Sequence, residues 1–247
     1  MKKSLIFALS IISTTLYAQD NYTLSDFNKE NREIIENIAV SNPENLSFGF
    51  NISPTISWLN VNHNDLHTDG ATLTGQLGFN AEYNINKLLS VVSGLNFGIN
   101  GGYVYDNASL LDPTTKSNFL MNLYTMEVPF LLRIKTPVFN KTIYYAQTGL
   151  LPGFRLSSRE FHKASSFNVD NKTSNINNLT NPILLSYSVG FGAKFVSGKN
   201  YDLFAEVNLK SSLLNIESKT GYSDDGRYPT PPQIKGGNMI FSFGVMF

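Results

Sequence analysis

From residue 46 to the C-terminus the chain alternates apolar and polar side chains with a period of two. A chain so patterned forms strands with one apolar and one polar wall. Residues 71–83 show it best: Leu73, Leu77, Phe79, Ala81 and Tyr83 point one way, while Thr72, Thr74, Gln76, Asn80 and Glu82 point the other. The same rhythm returns in Phe48, Phe50, Ile52, Ile56 and Trp58, in Val91, Leu95, Phe97, Ile99 and Tyr103, and in Tyr124, Met126, Val128, Phe130, Leu132 and Ile134. It continues through Leu185, Tyr187, Val189, Phe191 and Phe195, then Tyr201, Leu203, Ala205, Val207 and Leu209, and closes with Phe241, Phe243, Val245 and Phe247. With a less regular stretch over 142–156, the count is about eight strands.

The connections alternate in length. Long linkers are expected over 61–70, 106–120, 157–182 and 215–236, and short turns over 84–87, 136–141 and 197–200. An even number of strands joined by short turns on one side and long loops on the other is the plan of an antiparallel transmembrane β-barrel, closed so that no edge is left. That plan places both chain ends at the periplasmic side. Pro54, Pro129 and Pro152 fall inside expected strands, where each removes a ladder hydrogen bond, so bulges or local irregularities are expected there.

A soluble eight-stranded carrier would show the same alternation with the apolar wall turned inward. The polar wall argues against it. In the first strand it reads Ser47, Gly49, Asn51, Ser53, Thr55 and Ser57, without the lysines and glutamates of a water-facing surface. Charged residues are 15% of the chain, below the roughly 25% of soluble domains. Small polar side chains suit the narrow lumen of an eight-stranded barrel. Aromatics gather at strand ends, with Trp58, Tyr103, Tyr124, Phe154 and Tyr187 towards the outer side and Tyr83, Tyr144, Phe195, Tyr201 and Phe247 towards the inner one, as in interfacial girdles. Past the N-terminus there is no apolar run of about 18 residues, so membrane contact must come from strands.

Residues 1–18 read as a secretory signal peptide, with Lys2 and Lys3 before an apolar stretch and Ala18 before the cut. Residues 19–45 follow as a periplasmic segment, in which Phe27, Ile34, Ile35 and Ile38 share one face of a short helix that Ser25 would cap. Residues 46–247 form the barrel. Cysteine is absent, which removes disulfides and a lipid-modified N-terminus. Nineteen basic and nineteen acidic side chains give zero net charge, so no nucleic-acid footprint is present.

The stretch Met126-Glu127-Val128-Pro129-Phe130-Leu131-Leu132-Arg133-Ile134-Lys135 resembles the Glu-(Ile/Val)-Pro-(Leu/Phe)-Leu-Leu-x-x-Lys strand of the PorT-like outer-membrane β-barrel proteins of Bacteroidota. Phe48-Gly49-Phe50-Asn51-Ile52-Ser53-Pro54, Ser93-Gly94-Leu95-Asn96-Phe97 and Gly190-Phe191-Gly192-Ala193-Lys194-Phe195 resemble other strands of that family. The terminal Phe247 resembles the closing aromatic by which barrel-assembly machinery recognises its clients. The resemblance implies an outer-membrane barrel, brings no family-wide catalytic residues, and extends to the secretion accessory for which the family is named.

Charges on the polar wall are few. Glu82, Glu127, Asp202 and Glu206 face Arg133, Lys135, Arg155, Lys194 and Lys210, and they are expected to form a paired network in the lumen, because charges removed from water need partners. The rival reading is a charged constriction for small solutes. His63 and His67, with Asp65 and Asp69, have a loop spacing suited to zinc, and Ser223-Asp224-Asp225-Gly226 reads as a turn before a calcium loop. His162 with Ser157, Ser158 and Glu160 is the nearest approach to a hydrolytic set, and no nucleophile motif surrounds it. No catalytic, cofactor or metal residue is therefore assigned. The expected function is non-enzymatic, a structural or interaction role through long external loops, 157–182 foremost, with lipid around the barrel and an envelope or extracellular protein as partner. A narrow porin-like channel and a secretion accessory are the alternatives.

Overall fold

The computed structural model describes residues 46–63, 66–106, 117–162, 173–197, 200–217 and 233–247. The first of the chain's two units, Met1–Asn42, lies outside them, and so do the expected signal peptide (1–18) and the helical segment (19–45). Ten strands are described: β1 (Leu46–Asn62), β2 (Leu66–Asn84), β3 (Leu89–Asp106), β4 (Ser117–Glu127), β5 (Phe130–Lys135), β6 (Thr142–His162), β7 (Thr173–Asn175), β8 (Ile183–Phe195), β9 (Asp202–Ser212) and β10 (Gln233–Met246). All pairings are antiparallel, and β1 bonds both β2 and β10, so the sheet closes on itself.

The ring has eight members because β4 and β5 share one place in it. Both pair with β3 on one side and β6 on the other, in unbroken register, with Asn96 opposite Glu127 and Leu89 opposite Ile134. Pro129 accounts for the interruption, since it offers no amide hydrogen to a ladder. Beside it the Val128 amide still donates to the Pro152 carbonyl, at 2.8 Å. Pro152 keeps its place opposite Leu185 of β8, so its missing donor falls at the same joint. At Pro54 the pairing with β10 skips two residues and resumes without a shift. The register shift in this part of the ring lies elsewhere, between Tyr124 and Thr125 opposite Leu156. That bulge changes which residues of β6 face inward, from Tyr145, Gln147 and Leu151 before it to Ser158 and Glu160 after it.

Burial decides the sense of the walls. Asn51, Ser53, Thr55 and Ser57 are at most 7% exposed, whereas Phe50 and Ile52 on the opposite face of β1 are about 60% exposed (58% and 61%). The apolar wall faces outward, as a lipid-embedded barrel requires, and a soluble carrier would have the reverse. Tyr83, Tyr144, Phe195, Tyr201 and Phe247 are exposed at the short-turn end.

Towards the long-loop end the pattern inverts. Beyond Trp58, the inward positions Leu59, Leu66, Val104, Met121, Leu123 and Ile234 pack with Ile176 and Ile216 into a buried apolar plug, while Asn60 and Asn62 turn outward and are exposed. An apolar interior with a polar exterior is the order of a water-soluble sheet, so the barrel rises past the lipid here. The strands also run further than the alternation alone suggests. The expected long linker 61–70 shrinks to residues 63–65, because β1 ends at Asn62 and β2 starts at Leu66. Residues 107–116, 163–172 and 218–232, the remaining parts of the long connections, lie outside the described residues.

Candidate functional site

Near the short-turn end Glu82, on β2, points into the lumen and is 0% exposed. Three cations from two other strands, Arg133 and Lys135 on β5 and Lys194 on β8, meet it. Arg133 Nη1 donates to Oε2 at 3.0 Å, Lys194 Nζ to Oε2 at 2.8 Å and Lys135 Nζ to Oε1 at 3.1 Å. Ser90 Oγ adds a fourth donor at 2.7 Å. A lone carboxylate could not be ionised at such a site; this one is surrounded by positive charge and hydrogen-bond donors, which offsets its desolvation.

Arg133 links Glu82 to a second carboxylate. Its Nε and Nη2 both donate to Gln147 Oε1, at 3.0 and 2.7 Å, and Nη2 also reaches Glu206 Oε2 at 3.3 Å. The guanidinium lies over the Tyr145 ring, 4.0 Å from its centroid, and the Tyr145 hydroxyl donates to Glu206 Oε2 at 2.9 Å. Stacking on one face and bonds in the plane use the two recognition surfaces of a guanidinium together. Asn208 Nδ2 completes Glu206 at 2.9 Å. Further along the lumen Lys210 Nζ bridges both oxygens of Glu127 at 3.0 Å and reaches Asn100 Oδ1 at 3.1 Å. Moving towards the long-loop end, the interior runs from the Glu82 cluster to the Glu127–Lys210 pair and then to the apolar plug.

An outwardly apolar ring with this filled polar interior is the geometry of a membrane barrel, and the chain's sequence carries the matching signature. A model of the outer membrane protein β-barrel domain matches residues 20–227. The chain belongs to that family. Its place is the outer membrane of a Gram-negative cell. Among solved structures it is similar to Neisserial surface protein A, with 11% identity, 82% of this chain and 96% of that one covered, and a TM-score of 0.42. It is also similar to Ail, the attachment invasion locus protein of Yersinia pestis, solved with the heparin analogue sucrose octasulfate (13% identity, 82% and 99% covered, TM-score 0.37). A third is the outer membrane protease OmpT from Escherichia coli (10% identity, 83% and 97% covered, TM-score 0.46). No curated protein matches the chain.

Within this family barrel, the residues that the polar wall singles out divide as follows. Glu82, Arg133, Lys135, Lys194 and Glu206 come together in one group, and Glu127 pairs with Lys210 in another. Asp202 makes its contact outside these two groups. It opens β9, and its Oδ1 accepts from the Ser197 amide at 3.2 Å across the turn. Arg155 also leaves the lumen acids, because its position at the long-loop end brings Nη1 to Asn177 Oδ1 at 2.6 Å. Tyr145, Gln147 and Asn208 are members that the charge pattern does not reveal. The last two are legible as polar residues of inward parity, whereas the adjacent Tyr144 and Tyr145 leave the inward one undecided.

The other candidates do not assemble into reacting groups among the described residues. Ser158 Oγ bonds Asn177 Oδ1 at 3.0 Å and Thr180 Oγ1 at 2.8 Å. The side chain of His162 lies outside the described residues. His67 and Asp69 lie on β2 with exposed side chains, while Asp65 and Ser223-Asp224-Asp225-Gly226 lie outside the described residues. In the charged clusters each oxygen of Glu82, Glu127 and Glu206 accepts from a cationic or amide donor, which suits a structural filler of the lumen.

Proposed function

We propose that the protein is a sealed outer-membrane scaffold, without enzymatic activity or cofactor, that acts through its long-loop end on an envelope or extracellular protein. The observation that carries this reading is the filling of the lumen by the Glu82 cluster, the Glu127–Lys210 pair and the apolar plug in series. Opening a solute path would break buried ion pairs, which is costly wherever the separated charges stay out of water. The long-loop end is also braced. Asn177 Oδ1 accepts from the Ser158 amide at 2.7 Å, and Asn181 Nδ2 donates to the carbonyls of Asn215 and Glu217 at 2.8 Å each, tying two long connections to the rim. Rigid loop bases suit recognition.

In this reading a signal peptide is cleaved near residue 18, both ends of the mature chain face the periplasm, and the last strand with the terminal Phe247 that follows it is the mark read by assembly machinery. Kinship with the PorT-like proteins is supported by the Glu127-Val128-Pro129 motif, whose glutamate pairs with Lys210 and whose proline divides β4 from β5. The test joins two measurements on the full chain. Planar-bilayer recording of folded protein is expected to show no stepwise conductance, and deleting residues 163–172 is expected to leave heat-modifiable gel mobility intact while abolishing partner capture. Stable conductance steps, or capture unchanged by the deletion, would overturn the proposal.

A further inference from the structure

The barrel wall is broken on one side. β1 and β2 pair without interruption from Leu46–Tyr83 to Trp58–Ala71, but between the pairs Gly70–Tyr103 and Gln76–Gly98 the β2–β3 ladder stops, and its register shifts between Thr68 and Gly70 and again across the gap. Among the described residues, none of 71–75 has a register partner on β3. Instead β3 leans inward past β2. The Gly101 amide donates to Ser57 Oγ of β1 at 2.8 Å, and the same hydroxyl donates back to the Gly101 carbonyl at 2.7 Å. Next to it, a Cβ on Gly102 would stand 2.7 Å from the Leu59 nitrogen, so the backbones of β1 and β3 touch across the place where β2 should intervene.

The parting leaves a cleft of about 440 Å³ in the outer wall. That volume falls within the roughly 300–1,000 Å³ of small-molecule sites. Its outward lining is Ile52, Leu77, Phe97, Ile99, Tyr124 and Leu156. Four of these, Ile52, Leu77, Phe97 and Leu156, are exposed towards what the family fold makes lipid. The deeper lining is polar: Ser53, Gln76 and Thr125 come from the lumen face. Beside them, starting at Gly75, runs the stretch 71–75, which pairs with β1 on one side and whose peptide groups turned towards β3 have no ladder partner there. In hydrocarbon, peptide groups without a partner are costly, by several kcal/mol each. A molecule filling this place must therefore offer a hydrogen-bonding head to the gap and an apolar tail to the six outward side chains.

We propose that the gap between β2 and β3 binds a single-chain amphiphile, a long-chain fatty acid, with its carboxyl group at residues 71–76 and its chain along Leu77, Phe97 and Ile99. The site is independent of the role proposed for the loops. Gly75 lies in the cleft, and a Cβ built on it meets nothing within 4 Å, so a side chain introduced there starts into open space and not into the wall.

The probe is palmitic acid carrying a photoactivatable diazirine, added to the full-length protein folded in phosphatidylcholine vesicles. Adducts are expected to concentrate on peptides covering 73–77 and 97–99, to saturate, and to be displaced by unlabelled palmitate but not by hexadecane at equal concentration. Gly75→Phe is expected to cut labelling by about tenfold or more, while Leu209→Phe, on the exposed wall outside the cleft lining, leaves it unchanged. Unboiled gel mobility reports folding of both variants, and saturation in the unsubstituted protein tests the site even if one of them misfolds. Label spread evenly around the apolar belt, equal displacement by hexadecane, or full labelling of folded Gly75→Phe would overturn the proposal. So would concentration-dependent dimers abolished by Gly75→Phe without saturable labelling, which would assign the gap to a strand of a second copy.

Discussion

Replacing Glu82 by Gln keeps the shape of the side chain and removes the one charge on which three cations converge. In the native cluster Arg133, Lys135 and Lys194 face Glu82 and Glu206, three positive charges against two negative ones. The substitution leaves three against one in the same closed space. Each contact of about 3 Å has a gross attraction of about 5 kcal/mol at an effective dielectric of 20, most of it offset by desolvation. The expected net loss of stability is about 3–5 kcal/mol, the usual result of removing one partner from a buried pair. Against a total of about 5–15 kcal/mol this is a large fraction. Adding Lys194→Met returns the balance to two against one, and the coupling should recover about 0.5–3 kcal/mol. The assay is a denaturant titration in lipid vesicles, read by unboiled gel mobility and by fluorescence of Trp58, the single tryptophan of the chain. A Glu82→Gln barrel as stable as the parent, or a double variant weaker than the simple sum of its parts, would refute the view that charge balance holds this cluster.

Three further substitutions probe other parts of the same argument. Phe191, 68% exposed in the middle of the outward run Tyr187 to Phe195, faces lipid, so Phe191→Arg should cost about 2–4 kcal/mol in vesicle unfolding titrations, and a neutral result would contradict the outward-facing membrane wall. Gly94 has φ +152°, and an added Cβ would stand 1.9 Å from the Phe79 carbonyl oxygen, so Gly94→Ala should yield little heat-modifiable protein, whereas Gly75→Ala should fall within about 0.5 kcal/mol of the parent. Ser57→Ala leaves the Gly101 peptide without its hydroxyl partner, and a loss of about 1–3 kcal/mol is expected by the same titration; unchanged stability would mean that this bond does not hold β3 against β1.

In the proposed reading the protein acts at its outer end, because its interior is filled. Among the described residues the lumen is crossed by paired charges and capped by apolar side chains, and on the proposed reading the activity falls to surfaces: the braced rim around Asn177 and Asn181, and the parted wall between β2 and β3. These two surfaces face different media, and each has its own test.

By itself the sequence determined the strand class, the number of ring members and the two walls. A period of two assigns every side chain to one of two faces, and the small polar character of one face told which would be enclosed. Glu82, Arg133, Lys135 and Lys194 were legible as lumen charges for that reason. Only the tertiary structure decided which of them meet, because partners across a lumen are set by ring closure and stagger, to which alternation along a strand is blind. Thus Asp202, equal to Glu206 in parity, ends at a turn, and Lys210 finds Glu127 from the far side of the ring. The plug of Leu59, Val104 and Met121 and the bulge at Leu156 reverse the local meaning of the alternation. The gap beside residues 71–75 is likewise invisible in sequence. Its cause is the inward lean of β3 onto Ser57 and Leu59, a contact between strands that are not neighbours in the ring.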